Sequence, residues 1–454
     1  MANKRVFYAT KKAGIGPVGS AGGKTFVSAG DGKGAFRQIH GLQSVGITTT
    51  FNLEQTFELG QLSIYENIEG IPDISIDCEK VLDGYCPVYV LATSVNGDGS
   101  SATNGSDGVS TGASLVGRSK GKADFCLAIH KDTDLIATNT GAGGNSDAAE
   151  SHVMMSGVFV NSVSYNVGID GYATESVTLV GQDKVWHALD GGSTATSRMK
   201  RAKWSATDFI SREESPLALT QGSGGVNRRE DVLFEYPGNN TNRDDKHTLG
   251  YRDVNGAVSG LGTVLPTNIP GVSASGTNDR GADGQFACHL QSFSCSTDFG
   301  REDIFELGRK GRFHRFVPFP TEVTCEMTII SASGDLVSAT EDGVADPSNQ
   351  GNLTDETIRL QLREGLIVDL GKKNKLSSVS VTGGDAGGGN EEITYSYTNF
   401  NDFTVFHPQD PNHRTHKDGR FATFKNSKFT PRTVESVGDT GEGTGASGIA
   451  HAVL

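Results

Sequence analysis

The strongest constraint on this chain is that it contains the same stretch twice. Leu42-Gln43-Ser44-Val45, Thr49, Phe51, Glu54, Phe57-Glu58-Leu59-Gly60 and Pro72 recur as Leu290-Gln291-Ser292-Phe293, Thr297, Phe299, Glu302, Phe305-Glu306-Leu307-Gly308 and Pro320, with every spacing preserved. A gapless match of this length marks an internal duplication and predicts that the copies fold alike. After the shared proline the copies shift by one residue and keep the pattern. Ile74, Ile76 and Cys78 alternate with Ser75, Asp77 and Glu79, as Val323, Cys325 and Met327 alternate with Glu322, Thr324 and Glu326. Alternation with period two predicts half-buried strands with an acidic outer face. A later pair closes each copy alike: Glu175 to Leu179 precedes Asp183 to Trp186, and Glu392 to Tyr397 precedes Asn401 to Phe403.

Two copies in 454 residues predict two domains, each long enough to bury a core. The expected division is an N-terminal arm and first domain over 1–187, a connecting region over 188–285, a second domain over 286–430 and a Gly-rich tail over 431–454. With 60 glycines and few aromatic residues, the composition agrees with mainly β structure. Strands are expected near Ala123 to Ile129, Val153 to Val160, Val163 to Val167, Thr357 to Leu362 and Leu366 to Leu370. Residues 1 to about 35, with Gly14, Gly16, Gly19, Gly22 and Gly23, read as a flexible arm. The stretches Asn52 to Gly70 and its counterpart are long connections that keep large apolar residues. Such loops usually contact something. Phe57, Glu58, Leu59 and Gly60, with Phe305, Glu306, Leu307 and Gly308, are therefore candidate assembly elements; the other reading is that they plug their own domain.

A net charge of −14 disfavours electrostatic affinity for nucleic acid over the chain as a whole. Arg198 to Trp204 is a short basic cluster, which in an acidic chain is read as pairing with carboxylates across a subunit contact. Cys78, Cys86, Cys126, Cys288, Cys295 and Cys325 form no CxxC pair, and most lie in apolar alternations, so they read as reduced core residues. No secretory leader or membrane span is expected. Gly23-Lys24-Thr25 lacks the first glycine of a phosphate loop, Val18 standing in its place. Asn96, Asp98 and Ser100 lack the closing Glu of a calcium loop, and Gly443, Gly445 and Gly448 have too little chain after them for a dinucleotide-binding helix. His407, Asp410, His413 and His416 lie among prolines in a loop-like composition, which argues against a metal site. No nucleophile, base and orienter suggest themselves, so neither an enzyme nor a cofactor is expected.

The plan resembles the tail tube proteins of long-tailed bacteriophages, in a form with the tube domain duplicated. The likeness is carried by Gln43 to Gly60, Tyr65 to Gly70, Ala173 to Gly181, Ser296 to Glu302 and Phe305 to Gly308. It implies two tandem β-sandwich or partial-barrel domains with short helices and long loops. It also implies a major tail tube subunit in the virion tail, made in the host cytoplasm, whose copies form stacked rings for genome ejection. Three duplicated chains would make a pseudo-six-fold ring, a homohexamer being the alternative. Other tail proteins (sheath, terminator, baseplate) would be partners, and viral DNA would pass through without specific binding. Asp77, Glu79, Glu322 and Glu326 would then face the channel, and an acidic wall would let the polymer slide. The competing readings are another virion structural protein, such as a sheath, baseplate ring or capsid decoration protein, and a secreted β-rich adhesin.

Overall fold

The computed structural model describes residues 11–18, 37–60, 62–83, 87–93, 115–129, 151–181, 183–188, 226–229, 232, 263–266, 269, 289–309, 311–330, 355–362, 366–383 and 390–406. The chain is mainly β. Its first half contains β1 (Lys11–Pro17), β2 (Arg37–Gln38), β3 (Leu42–Thr50), β4 (Leu53–Phe57), β5 (Ile64–Glu69) and β6 (Asp73–Val81). Helices α1 (Val88–Thr93) and α2 (Leu115–Arg118) follow, then β7 (Ala123–Ile129), β8 (Ser151–Gly168), β9 (Thr174–Gly181) and β10 (Asp183–Ala188). The second half contains β11 (His289–Asp298), β12 (Glu302–Ile304), β13 (His314–Phe316), β14 (Glu322–Ile330), β15 (Arg359–Gln361), β16 (Ile367–Asp369), β17 (Lys375–Thr382), β18 (Glu392–Phe400) and β19 (Thr404–Phe406).

The repeated stretches become equivalent strands in one antiparallel sheet, which runs β3-β6-β9-β8-β11-β14-β18-β17. The order β3-β6-β9-β8 is thus followed by its counterpart β11-β14-β18-β17. Even the irregularities recur. A bulge between Leu42 and Ser44 on β3 matches one between Leu290 and Ser292 on β11, and a bulge between Val160 and Ser162 on β8 matches one between Leu376 and Ser378 on β17. Bulges bend and twist a strand at a defined place, so the two sets share local curvature as well as order.

The alternation decides which face is buried. Ile74, Ile76 and Cys78 point into the core, as do Val323, Cys325 and Met327, whereas Asp77, Glu79, Glu322 and Glu326 are exposed on the other face. The core is backed by a second layer, β2-β1-β7-β8-β10, with β15-β16-β19 as its counterpart. One long strand, β8, belongs to both layers, although the sequence reads as two strands there. It turns at Gly157, whose φ is +66, where Asp124 accepts from Ser156 Oγ (2.8 Å) and from Gly157 N (3.0 Å). A positive φ is open to glycine without a Cβ penalty. The second half breaks instead at Gly371 (φ +73), whose N–H donates to Asp369 Oδ1 at 2.9 Å.

The arm expected at the N-terminus is partly strand. Lys11–Pro17 pairs in register with Ala123–Ile129, and Gly14 and Gly16 are buried there. Glycines that read as loop in isolation here allow a close layer contact. Parts of the connecting region also reach the body: Asn227 N donates to Leu82 O (2.8 Å), Ala173 N donates to Asn227 O (2.9 Å), and Val264 bridges Arg359. The apolar core runs through both halves. Tyr89 meets Phe403 edge-on at 5.7 Å and Phe299 at 6.4 Å, and Tyr165 stacks on Phe403 at 6.2 Å. Cys78, Cys126, Cys295 and Cys325 are free, buried thiols; burial first, with nearby carboxylates second, pushes Cys78 up to about 12. Cys86 and Cys288 lie outside the described residues.

One buried carboxyl organises the first half. Glu175 accepts from Val88 N (2.7 Å), Tyr89 N (3.0 Å) and Tyr165 Oη (2.8 Å), tying β9 and β8 to the start of α1. Burial raises its pKa, and those hydrogen bonds with the Lys80 charge oppose the rise. A carboxyl whose folded pKa lies above its unfolded one is most favourable when protonated, so its contribution improves as pH falls. Glu175→Gln removes that titration. Urea midpoints taken between about pH 7 and about pH 5 should show the native protein gaining stability relative to the variant as pH is lowered. Parallel profiles would contradict this account of the site.

Candidate assembly surface

Two strands of the main sheet have one unpaired edge among the described residues, β3 at one end and β17 at the other. Their counterparts, β11 and β8, are paired with each other inside the chain, from Ser292 opposite Gly168 to Asp298 opposite Ser162. The bulged residues extend that ladder, since Phe299 N donates to Asn161 O (2.8 Å) and Ile169 N to Gln291 O (3.1 Å). The chain therefore contains one formed joint between its halves, and at its two ends the strands that would form the same joint again.

Burial follows from the joint. Phe299 is 1% exposed and its repeat mate Phe51 70%; Tyr165 is 0% exposed and Val381, at the same position of β17, 46%. Phe293 and Cys295 on β11 are buried, whereas Val45 and Ile47 on β3 are only half-buried. Equivalent strand positions, all of them apolar or aromatic, thus have different solvent access, and the difference is the presence of a neighbouring strand. An open edge with apolar residues is an association site unless something covers it.

The Phe-Glu-Leu-Gly stretches are hairpin tips. The first connects β4 to β5, and the second joins β12 to β13. Phe57, Leu59, Phe305 and Leu307 are all exposed, with Glu58 and Glu306 beside them, so these side chains do not plug their own domain. Gly60 and Gly308 take positive φ at the same repeat position.

The bases of the two hairpins differ. The second is anchored across the end of the first half. Arg301 Nε donates to Val160 O (2.6 Å) and Nη2 to Ser119 O (2.9 Å), and its guanidinium lies over Phe159 at 4.7 Å. Arg312 and Arg315, both buried, share Asp303, at 2.5 and 2.7 Å, and both also reach Asp73 of the first half. Their Nε–H groups are not aligned on Asp303, so the contacts there are charge pairs more than directed hydrogen bonds. Burial lowers the Arg315 pKa, with Asp303 and Asp73 opposing it and the Arg312 charge adding to it. His314 is lowered by burial, then by the Lys122 and Arg301 charges. Arg301, Arg312 and Arg315 thus face the chain's own first half, whereas Arg309 lies by Glu306 and Phe313 of its own hairpin. In the first hairpin the repeat mates of Arg301, Arg312 and Arg315 are Leu53, Ile64 and Asn67.

The face of the sheet away from the core is short and polar. Ser44, Thr48, Ser164, Ser294, Ser296, Thr324, Thr394 and Ser380 line it with Asp77, Glu79, Glu322 and Glu326. Thr178 Oγ1 donates to Asp77 at 2.9 Å. Asp298 and Glu392 share this face, Asp298 as the last residue of β11 and Glu392 as the first of β18; the alternation of those strands is the signal that locates them. Among the described residues, no group of three or more His, Cys, Asp or Glu could hold a metal ion, and no helix is long and apolar enough to cross a membrane. The Arg198 to Trp204 cluster, Gly23-Lys24-Thr25, Asn96 to Ser100, the His407 to His416 group and the C-terminal glycines lie outside the described residues.

No protein-family model and no curated protein matches the chain. Among solved structures, the chain is similar to the tube-terminating cap of the anti-feeding prophage, with 8% identity and a TM-score of 0.25 over 41% of this chain and 94% of that one. It is also similar to two structures of an extracellular contractile injection system, PVC, in the extended state. For the sheath-tube complex the identity is 10% and the TM-score 0.25, over 41% of this chain and 93% of that one. For the sheath/tube terminator the values are 10% and 0.25, over 41% and 100%. A TM-score of 0.25 is too low to carry a functional argument.

The Arg312 and Arg315 pair gives a check on the charge balance where the second hairpin meets the first half. Asp303→Ala leaves two buried guanidinium groups sharing Asp73 alone, and should destabilise the protein by about 3 kcal/mol, since removing one partner of a buried ion pair leaves charge uncompensated. The unfolding midpoint in urea measures it; a change within experimental error would mean that solvent reaches both arginines.

Proposed function

We propose that this chain is a structural subunit of a phage tail tube, in which copies join edge to edge into rings and the rings stack into a hollow conduit for genome ejection. The observation that carries the reading is the β8-β11 joint, formed once inside the chain and left with its two halves, β17 and β3, at the opposite ends of the same sheet. Head-to-tail repetition of one joint generates a ring when the rotation closes. Three copies then make a ring of six repeats, with neither end of the main sheet left open. The resemblance of the repeat residues to tail tube proteins supports the same reading, in which the protein sits in the virion tail beside sheath, terminator or baseplate proteins.

In this reading the Ser/Thr-rich acidic face, with Asp77, Glu79 and Glu326 and with Glu322 at its rim, lines the channel. Short hydroxyl side chains offer little to grip, and carboxylates repel phosphate, whereas a basic wall would hold DNA through counterion release. The protein's work is then mechanical and not enzymatic. The hairpin tips, exposed even on the anchored second hairpin, serve contacts between rings.

Electron microscopy and mass photometry of the purified protein test this. Native protein should form rings and tubes. Val381→Asp changes an exposed edge residue, so it should melt with the native protein yet remain monomeric. Leu59→Ser with Leu307→Ser, at the fully exposed turns, should leave rings and abolish tubes. Native protein that stays monomeric at high concentration, or a Val381→Asp variant that assembles unchanged, would defeat the proposal. In assembled tubes, Asp77→Lys with Glu326→Lys should create DNA retention that falls steeply with salt; retention equal to that of native tubes would place this face elsewhere.

A further inference from the structure

We infer that the β4-β5 hairpin docks on a second copy of this chain within the same ring, across the ends of β14 and β17, and presents the apolar Leu53 and Ile64 where the internal joint presents arginines. The inference rests on the ring reading and deepens it by naming the surface that the first hairpin meets.

The internal joint supplies the geometry. As β11 pairs with β8, the chain continues into β12-β13, and that hairpin lies over the end of the half it has just joined. Arg301 reaches Val160 on β8, and Arg312 reaches Asp73 at the start of β6. Translated through the repeat, β3 pairs with β17 of the neighbour so that Ile47 faces Val381 and Thr49 faces Val379, as Cys295 faces Tyr165 and Thr297 faces Val163. The hairpin that follows β3 then lies over Leu376 and Glu322, the positions matching Val160 and Asp73.

The chemistry of the two hairpins fits different neighbours. Arg301 and Arg312 become Leu53 and Ile64, both exposed in the single chain, and Phe51, exposed beside them, is the mate of buried Phe299. An intermolecular contact has to offset lost translational and rotational freedom, which apolar burial does without the desolvation cost of a buried ion pair. The tether inside the chain relieves the internal joint of that demand. The difference also marks each joint: a β4-β5 hairpin on the first half would leave Asp73 without its arginines, so the two kinds of joint do not exchange.

The test is a cysteine pair, Ile64→Cys with Glu322→Cys, treated with a short bis-maleimide in the assembled full-length protein, with each single variant as control. Denaturing gels should show adducts up to the number of chains in one ring and none above it. Adducts that ladder beyond one ring would place the hairpin between rings and overturn the inference while leaving the ring reading intact; intact rings with no adduct would do the same. Protein that does not assemble at all overturns both. A second readout is charge-specific. Ile64→Asp, set against Glu322, should raise the concentration needed for ring formation at least about tenfold, equivalent to about 1.4 kcal/mol, whereas Ile64→Arg should assemble at or below the native concentration. Equal losses for both variants would overturn the charge placement at Glu322.

Discussion

The antiparallel ladder between β8 and β11 is the contact on which the rest of this structure depends. It converts two repeats, each with a free edge, into one sheet, and aligns Tyr165 and Phe293 on the buried face where Tyr89, Phe299 and Phe403 close over them. Hydrogen bonds make the register and apolar burial makes it worth forming; each buried aromatic side chain contributes roughly 1.5–3 kcal/mol. The charges at its rim act differently. Arg312 and Arg315 with Asp73 and Asp303 add little net stability as buried ion pairs, but they are costly to mispair.

Much of the sheet is legible in the sequence, and the pairing that unites it is not. The alternation of Ile74, Ile76 and Cys78 with Asp77 and Glu79 reports the burial period directly, because a strand has no other way to separate two faces. The gapless repeat places Leu42 and Leu290 on equivalent strands. Nothing local, however, says that Tyr165 will face Cys295, since partner choice between strands so far apart in sequence is decided by the whole core. The break expected after Val160 is a bulge within one strand, and Gly14 and Gly16, which read as a flexible arm, are buried strand. At the two glycines the local meaning is overridden by what packs against them.

The candidate surface divides in the same way. The exposed acids follow from alternation, and the apolar hairpin stands out as large side chains kept in a long connection. Arg301, Arg312 and Arg315 have no basic counterpart in the first copy, which carries Leu53, Ile64 and Asn67 there. Only the placement of Val160, Ser119 and Asp73 beside them reveals that their partner is the first half of the same chain.

The same ladder has a consequence for synthesis. Strand β8 is complete at Gly168, while β11 starts at His289, so a long stretch of translation separates the two partners. Throughout that interval the nascent first half presents β8 as an uncovered edge, and on a polysome the nearest strand able to pair with it belongs to the next ribosome's product. Contacts of such high sequence separation form late and expose their edges to domain swapping. The arginine seam then acts as a proofreader: a β3 edge arriving from another chain brings Leu53 and Ile64 where Arg301 and Arg312 are needed, leaves Asp73 without a guanidinium partner, and is the weaker competitor when the chain's own β11 emerges.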